Sequence, residues 1–228
     1  VLAARREPEL RRVADEIGGD TLVVRADVTV RAQVEQVRDA ALERFGHVDV
    51  WVNNAGRGID RHVLDLTDDD VDEMMTVNVK SALYGMQAIV PHFRERERGH
   101  LINVSSFLGR VPGAPQRSAY SAAKAYLNSL TTNLRMDLAA DHPGIHVSTV
   151  MPGIVATDFA RNALGAPPSA PGSGTMQPQP VEEAAARIVH LIEHPAPEIY
   201  TNPILPAMAK RVFDQVGAFD PLPEVGAS

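Results

Sequence analysis

The sequence predicts an α/β fold in which a doubly wound parallel β-sheet is covered by helices on both faces, giving three layers. Short apolar runs alternate with longer segments of helical periodicity along the chain. This alternation is typical of βαβ units, in which consecutive strands lie parallel in one sheet. At 228 residues the chain has the length of one α/β domain with a substantial core, so we expect residues 1–228 to form a single domain.

The first half of the chain contains three predicted strands and the helices between them. They are the end of a strand at 1–4, helix 7–17, strand 21–26, helix 30–45 and strand 48–53. A long helical stretch then runs to about residue 97, with a break expected near Asn78. Thr67 is its predicted N-cap, because aspartates occupy the first turn and complement the helix dipole.

The second half continues the same alternation. Its predicted elements are strand 101–105, helix 117–140, strand 145–150, helix 181–193, a short strand near Ile199 and a helical piece at 204–216. Residues 165–180 contain 5 prolines and 3 glycines in 16 residues, so they cannot form a regular element. A loop of this length is either a lid over a binding site or a surface insert.

Composition excludes several classes of function. The net charge is −7 and no stripe of basic residues occurs, so we expect no binding of nucleic acid. The chain has no cysteine, which excludes disulfides and thiolate metal sites. No apolar run has the length of a membrane span, and the first residues are not a secretory signal. We therefore expect a cytoplasmic protein with no membrane partner.

Tyr120 and Lys124 are the most informative pair in the sequence. They lie one helical turn apart on a predicted helix, so their side chains share one face and can point into the same cleft. A cation beside a phenol favours the phenolate, and we therefore expect Lys124 to lower the pKa of Tyr120. A phenol tuned in this way can serve as a general acid–base in hydride chemistry.

Polar and small residues follow three of the predicted strands. Ser105 and Ser106 end strand 101–105, Asn53-Asn54-Ala55-Gly56 ends strand 48–53, and a third segment, Met151 to Thr157, follows strand 145–150. Ligands of open α/β sheets gather at the carboxyl ends of the strands. Because glycine and other small residues allow close approach to the backbone, we expect these three segments to form one site.

Together these segments resemble the short-chain dehydrogenase/reductase family. The matching motifs are Asn53-Asn54-Ala55-Gly56, Asn78-Val79-Lys80-Ser81, Ser105-Ser106, Tyr120-x-x-x-Lys124 and Pro152-Gly153-x-x-x-Thr157. They occur in the family's order and spread over most of the chain. The resemblance implies a Rossmann-type NAD(P)-binding fold and hydride transfer between a nicotinamide cofactor and a small alcohol or carbonyl substrate.

The resemblance also implies a role for each catalytic residue. Tyr120 would be the general acid–base, Lys124 would lower its pKa and hold the nicotinamide ribose, and Ser106 would bind the substrate oxygen. Asn78 would support a water relay behind the lysine. Ser106 lies 14 positions before Tyr120, where the family usually has 13, so Ser105 remains the alternative for the substrate-binding serine.

The end of the first strand indicates which cofactor is bound. An acidic residue there selects NAD, whereas an arginine accommodates the 2′-phosphate of NADP. Here Ala4 takes the usual acidic position and Arg5 follows it, so NADP is favoured and NAD remains possible. The other implied cofactor contacts are Asp27 and Val28 at the adenine, and Asn54, Ala55, Gly56, Tyr120, Lys124, Pro152, Gly153 and Thr157.

The family's first strand, first helix and glycine-rich turn have no counterpart in this sequence and are expected to precede Val1. That strand normally lies between the strands at 1–4 and 48–53. Without it, those two strands should lie about 9–10 Å apart, which is two strand spacings, and should not be hydrogen-bonded to each other. The alternative is a shortened sheet in which they pair directly.

Two further expectations follow from the resemblance. Residues 157–180 should form a substrate lid, with Phe159, Leu164 and Met176 as candidate apolar contacts. Family members commonly pair through two long helices, here 68–97 and 117–140, so we expect a homodimer or homotetramer.

Two other classes of function compete with this prediction. A catalytically silent NAD(P)-binding regulator would have the same fold, but it should lack a catalytic residue, and none is missing. His190-Leu191-Ile192-Glu193-His194 matches the H-x-x-E-H pattern of some zinc peptidases. Both histidines fall on the polar face of helix 181–193, whereas a catalytic zinc needs a cavity and a third protein ligand. We therefore expect no catalytic metal.

Overall fold

The structure is a computed structural model, and it describes residues 1–166 and 177–214. The strands in these residues are β1 (Leu2–Ala4), β2 (Val23–Arg25), β3 (Val50–Asn53), β4 (Gly99–Val104), β5 (Ile145–Met151) and β6 (Glu198–Tyr200). The helices are α1 (Glu7–Ile17), α2 (Arg31–Phe45), α3 (Asp68–Met75), α4 (Ser81–Arg96), α5 (Ser118–Ala139), α6 (Val181–Glu193) and α7 (Leu205–Asp214). Every predicted strand and helix is present, although residues 215–216 of the last predicted helix lie outside the described part.

The break predicted near Asn78 is a π-helical turn at Thr76–Lys80 between α3 and α4. The predicted N-cap at Thr67 is also confirmed. Its side chain accepts a hydrogen bond from the backbone N–H of Asp70, and the Asp70 carboxylate accepts one from the backbone N–H of Thr67. This reciprocal capping box fixes the start of α3.

All strand pairs are parallel, as the alternation of elements predicts. Strands β3, β4, β5 and β6 form one sheet in that order, and β1 and β2 form a second, two-stranded sheet. Val50 lies opposite His100 in the pairing of β3 with β4, and Gly99 lies opposite Ile145 in the pairing of β4 with β5. The carboxyl ends of β3, β4 and β5 therefore lie side by side.

Strands β1 and β3 belong to different sheets and are not hydrogen-bonded to each other in the described residues. This agrees with the expectation that residues 1–4 and 48–53 would not pair directly. Each strand has one neighbour only, so each presents an edge that no other described strand occupies.

The four-stranded sheet is covered on both faces. Leu101 packs with residues of α4 and α5, including Phe93 and Leu127, whereas the next residue, Ile102, packs with Leu191 of α6. Successive side chains of a strand point to opposite faces, so β4 is buried on both sides and lies in the middle of three layers. None of the described helices is long and apolar enough to cross a membrane.

Candidate active site

The structure brings together the four predicted catalytic residues at the carboxyl ends of β3 and β4. Ser106 follows β4, Tyr120 and Lys124 lie in the first two turns of α5, and Asn78 lies in the π-helical turn. Their exposed fractions are 7% for Ser106, 7% for Tyr120, 2% for Lys124 and 0% for Asn78. A cluster of four polar side chains this deeply buried must be held by specific hydrogen bonds.

Lys124 is a buried ammonium that donates one hydrogen bond to the part of the chain that the structure describes. Its Nζ donates to the carbonyl oxygen of Val104 at 2.9 Å and lies 5.9 Å from the ring centroid of Tyr120. Burial lowers its pKa to about 8. An ammonium has three hydrogens to donate, and Lys124 uses one of them within the described residues.

The phenol of Tyr120 has a raised pKa, which is the opposite of the direction expected from the sequence. Burial raises its pKa to about 12, and this effect outweighs the hydrogen-bonding contact with Ser106 and the charge of Arg117, which both lower it. Desolvation disfavours the phenolate, and Lys124 is not among the groups that lower the pKa of the protonated phenol. Tyr120 is therefore protonated at neutral pH, in the form that can donate a proton.

Asn78 joins the π-helical turn to the loop after β3. Its Nδ2 donates to the carbonyl oxygens of Arg57 at 3.0 Å and Met74 at 3.1 Å, and its Oδ1 accepts from the backbone N–H of Arg57 at 3.1 Å. π-helical turns are often found at functional sites because they turn one side chain out of the regular register. Here the turn directs the amide of Asn78 toward Gly56 and Lys124.

The two serines after β4 have different environments. The hydroxyl of Ser105 donates to the backbone oxygen of Lys124 at 3.2 Å, whereas the hydroxyl of Ser106 contacts Tyr120 and accepts from the backbone N–H of Leu108 at 3.2 Å. Of the two sequence alternatives, Ser106 has the hydroxyl beside the phenol, and Ser105 anchors the helix that carries Lys124.

Gly109 sets the distance between the serine turn and α5. A Cβ atom at this position would lie 2.7 Å from the backbone carbonyl carbon of Lys124. Such a distance is far below van der Waals contact, so only glycine allows the turn at Phe107–Gly109 to approach α5 this closely.

A chain of buried amides and hydroxyls lies beneath the site. Asn53 donates to Oδ1 of Asn103 at 2.8 Å, and Asn103 donates to the hydroxyl of Thr131 at 2.9 Å. These bonds connect β3, β4 and α5. The sequence signal for Asn103 was a polar residue in the middle of an apolar strand, and sequence reasoning did not use it.

Phe159 and Leu164, two of the predicted lid residues, lie beside the site. The ring centroid of Phe159 is 5.6 Å from that of Tyr120. Leu164 exchanges backbone hydrogen bonds with the loop after β3, donating to the oxygen of Gly58 at 3.0 Å and accepting from the N–H of Asp60 at 2.7 Å. The third candidate, Met176, lies outside the described residues.

Arg117 is a residue near the phenol that sequence reasoning missed. Its Nη1 donates to the carbonyl oxygen of Ile59 at 2.9 Å, and its Nη2 lies 3.7 Å from the carboxylate of Asp60. Its charge acts on Tyr120, three positions further along the chain. Arg117 belongs to no sequence motif that could have indicated this role. The loop residue that it contacts, Ile59, lies 58 positions away in the chain.

The residues assigned to the adenosine part of a cofactor lie at the ends of β1 and β2. Oδ1 of Asp27 accepts from the N–H of Thr29 at 2.9 Å and from its hydroxyl at 2.7 Å. These hydrogen bonds, with a smaller contribution from the charge of Arg5, hold the pKa of the Asp27 carboxyl below its usual range. Val28, which stands between Asp27 and Thr29 in the chain, is half-buried. The Arg5 guanidinium is exposed and makes no ion pair within residues 1–166 and 177–214.

The residues assigned to the nicotinamide part lie near Lys124. Asn54 and Ala55 are exposed, and Gly56 is so close to Lys124 that an added Cβ would lie 3.4 Å from Nζ. The two remaining hydrogens of the Lys124 ammonium and the bare backbone of Gly56 fit a ribose with its hydroxyls.

The third segment lies after β5. Pro152 accepts a backbone hydrogen bond from Phe107 at 2.8 Å, and an added Cβ at Gly153 would lie 3.3 Å from the Leu205 side chain. Thr157 is exposed, and its hydroxyl accepts from the N–H of Phe159 at 3.3 Å. The bond from Phe107 to Pro152 therefore ties this segment to the turn that carries Ser106.

Comparison with known proteins finds relatives that match most of the chain. The short chain dehydrogenase family profile matches residues 1–166 of the chain. An uncharacterized oxidoreductase of Bacillus subtilis, YxnA, is 32% identical over 213 residues, which are 92% of this chain and 60% of that protein. The chain therefore spans less than two thirds of this relative.

Solved structures give the same fold. A short chain dehydrogenase/reductase from Burkholderia phymatum in complex with NAD is 26% identical with a TM-score of 0.83, covering 96% of this chain and 87% of that one. A short chain dehydrogenase from Burkholderia cenocepacia in complex with NADP is 26% identical with a TM-score of 0.76, covering 93% and 81% of the two chains. Similar proteins thus bind either nicotinamide cofactor.

Proposed function

This chain belongs to the short chain dehydrogenase family, and from that premise we propose that it is an NADP(H)-dependent oxidoreductase acting on a small alcohol or carbonyl compound. One observation carries the proposal. The buried hydroxyl of Tyr120 contacts the hydroxyl of Ser106, one helical turn from the ammonium of Lys124. These groups meet at the carboxyl ends of parallel strands, where open α/β folds bind their ligands.

In the reducing direction, Ser106 and Tyr120 bind the substrate carbonyl oxygen. A bound nicotinamide would supply the hydride to the carbonyl carbon. Tyr120 donates its proton to the oxygen as negative charge develops there, and its raised pKa keeps that proton in place at neutral pH. Lys124 stabilises the phenolate that remains, since its ammonium lies on the same face of α5. Asn78 holds the loop at Gly56 in register with Lys124.

Tyr120→Phe tests the assignment of the acid–base. The change removes one oxygen and leaves the packing of the ring, so we expect turnover to fall by about 100-fold or more while cofactor affinity stays within twofold, as for loss of a general acid. Turnover is measured by NADPH absorbance on a panel of ketones and alcohols, and affinity by quenching of protein fluorescence.

Tyr126→Phe is the matched control, because Tyr126 lies on the same helix and its side chain is 52% exposed. It should keep wild-type turnover. Wild-type turnover in Tyr120→Phe would refute the mechanism. If the wild-type protein binds NADPH but reduces or oxidises no compound of the panel, the catalytically silent regulator becomes the better proposal.

Arg5→Asp tests the preference for NADP. The exposed guanidinium follows β1 near Asp27 but forms no ion pair within the described residues, so it is available to a 2′-phosphate. We expect the variant to bind NADPH at least about tenfold more weakly, the cost of a lost charge-assisted contact, and to gain affinity for NADH. Arg6→Asp makes the same change of charge at the next position and should have a smaller effect. Equal preference in wild type and Arg5→Asp would refute the role of Arg5.

Three further sequence predictions stay predictions. They are the organisation of residues 1–228 as one NAD(P)-binding domain, the function of residues 157–180 as a substrate lid, and a cytoplasmic location. The contact between Phe159 and Tyr120 supports the lid, because an apolar ring beside the phenol would reduce the access of water to the reacting oxygen.

A further inference from the structure

A second cluster of polar side chains lies at the C-terminal end of α6, away from the active site. It consists of His190, Glu193 and His194, all of which are exposed. Their ligating atoms lie within 4.8 Å of one another, and the two imidazole rings are stacked with their centroids 4.4 Å apart. Two imidazoles and a carboxylate are a common ligand set for zinc.

This cluster does not have the surroundings of a peptidase centre. Its side chains are exposed and the proposed catalytic residues do not contribute to it, whereas a catalytic metal ion lies in a shaped cavity. An exposed chelate has a different requirement, which is that its ligands converge and leave coordination positions for water.

We propose that His190, Glu193 and His194 form a surface binding site for a divalent transition-metal ion of the Zn²⁺ class. The histidines are separated by one helical turn, so both rings can reach one ion with only a change of rotamer. Glu193 adds a carboxylate on the same side of the helix. Water completes the coordination, because only three protein ligands are present.

The tautomer of His194 suits this role. Its Nδ1 lies 3.3 Å from the carbonyl oxygen of His190, and its backbone N–H donates to the same oxygen at 2.8 Å. A histidine that donates one ring N–H to a backbone carbonyl presents the lone pair of its other nitrogen, which is the usual arrangement around protein-bound metal ions. Nε2 of His194 is thereby available for the ion.

The fixed position of the helix end and the local charge also favour binding of a cation. Leu191 is 1% exposed and packs with Ile102 and Val150 of the sheet, so the last turn of α6 is fixed to the sheet. The C-terminal end of a helix carries partial negative charge, to which Glu193 adds a full charge. Arg187, one turn earlier on the same exposed face, is the nearest positive charge on this helix that would repel a bound cation.

Titration of the full chain with ZnCl₂, followed by isothermal calorimetry and by thermal unfolding, tests the proposal. The wild type should bind one equivalent that the double variant His190→Asn/His194→Asn lacks, and each single variant should bind at least about tenfold more weakly, since losing even an outer partner of a metal costs that much. Zn²⁺ should raise the melting temperature of the wild type and not that of the double variant.

Two controls make the result specific. Glu183→Gln removes a carboxylate from the same exposed face two turns earlier and should keep the wild-type affinity for zinc. MgCl₂ should not replace Zn²⁺, because Mg²⁺ prefers an octahedron of oxygen ligands. The turnover of the double variant without zinc should equal that of the wild type.

The proposal is overturned by any of three results. The first is the absence of zinc binding by the wild type, and the second is equal zinc affinity and stoichiometry in the wild type and the double variant. The third is a loss of zinc affinity in Glu183→Gln as large as that in the histidine variants. None of these measurements depends on the oxidoreductase activity, so the metal site and the proposed function can fail separately.

Discussion

At the scale of single residues, burial decides the chemistry of the candidate site. Lys124 and Tyr120 are both almost inaccessible to solvent. Burial lowers the pKa of Lys124 and raises that of Tyr120, and both shifts favour the neutral form of the side chain. The ammonium is the more costly of the two, because among the described residues a single backbone carbonyl accepts a hydrogen bond from it. A residue kept at such a cost is expected to serve function rather than stability.

Lys124→Met tests whether the buried ammonium serves function at a cost in stability. Methionine fills similar space without the charge, so we expect turnover and cofactor affinity to fall strongly while the melting temperature at pH 7 stays equal to or rises above that of the wild type. Folding lowers the pKa of Lys124 from 10.5 to about 8. Between these two values the unfolded chain binds more protons than the folded chain, so the stability of the wild type rises with pH. The destabilisation caused by the buried ammonium is therefore full below about pH 8 and vanishes toward pH 10.5.

The measurement is thermal unfolding of both proteins across this pH range, together with NADPH titration. Lys80→Met is the matched control, since Lys80 is the exposed last residue of the π-helical turn and its replacement should change neither the melting temperature nor the affinity for NADPH. A Lys124→Met protein that is clearly less stable than the wild type at pH 7 would contradict the argument.

At the scale of elements, the site depends on how closely two segments approach. The turn at Phe107–Gly109 carries Ser106 and touches α5 at Lys124, where the backbone of Gly109 leaves no room for a side chain. The hydroxyl of Ser105 adds a hydrogen bond to the backbone oxygen of Lys124. The position of the serine relative to the phenol is thus fixed by contact between elements.

Gly109→Ala should push this turn away from α5. We expect a loss of about 1–3 kcal/mol in the free energy of unfolding, the usual cost of overpacking. The displaced Ser106 should also lower turnover more than cofactor affinity, because it binds the substrate oxygen in the proposed mechanism. Chemical denaturation and steady-state kinetics measure the two effects. Wild-type stability and turnover would show that the turn and the helix can separate freely.

At the scale of the whole molecule, the outer surface of α5 suggests self-association. Tyr126 and Met136 on this helix are 52% and 61% exposed, so α5 offers apolar surface that a second copy of the chain could cover. The predicted pairing through the helices at 68–97 and 117–140, which became α3, α4 and α5, would cover this surface.

We therefore expect a homodimer or homotetramer by light scattering at micromolar concentration. The double variant Tyr126→Glu/Met136→Glu places two like charges on the covered surface and should dissociate the assembly into folded monomers. Circular dichroism checks that the variant remains folded. A monomeric wild type would contradict the prediction, and so would a double variant that keeps the wild-type mass.

The sequence by itself determined the order and kind of the elements and the set of candidate catalytic residues. Helices α1 and α6 have the predicted bounds, and the break at Asn78 is a π-helical turn. These features are encoded locally, because hydrophobic periodicity and helix caps act within a few residues. Tyr120 and Lys124 could be paired for the same reason, since one helical turn connects them.

Only the tertiary structure decided which serine faces the phenol, in which direction the pKa of Tyr120 moves, and that Arg117 lies close enough to act on it. Each of these depends on contacts between residues far apart in the chain and on the water that those contacts exclude. Desolvation belongs to the packed molecule, so a local spacing such as Tyr-x-x-x-Lys can suggest a charge effect but cannot weigh it against burial.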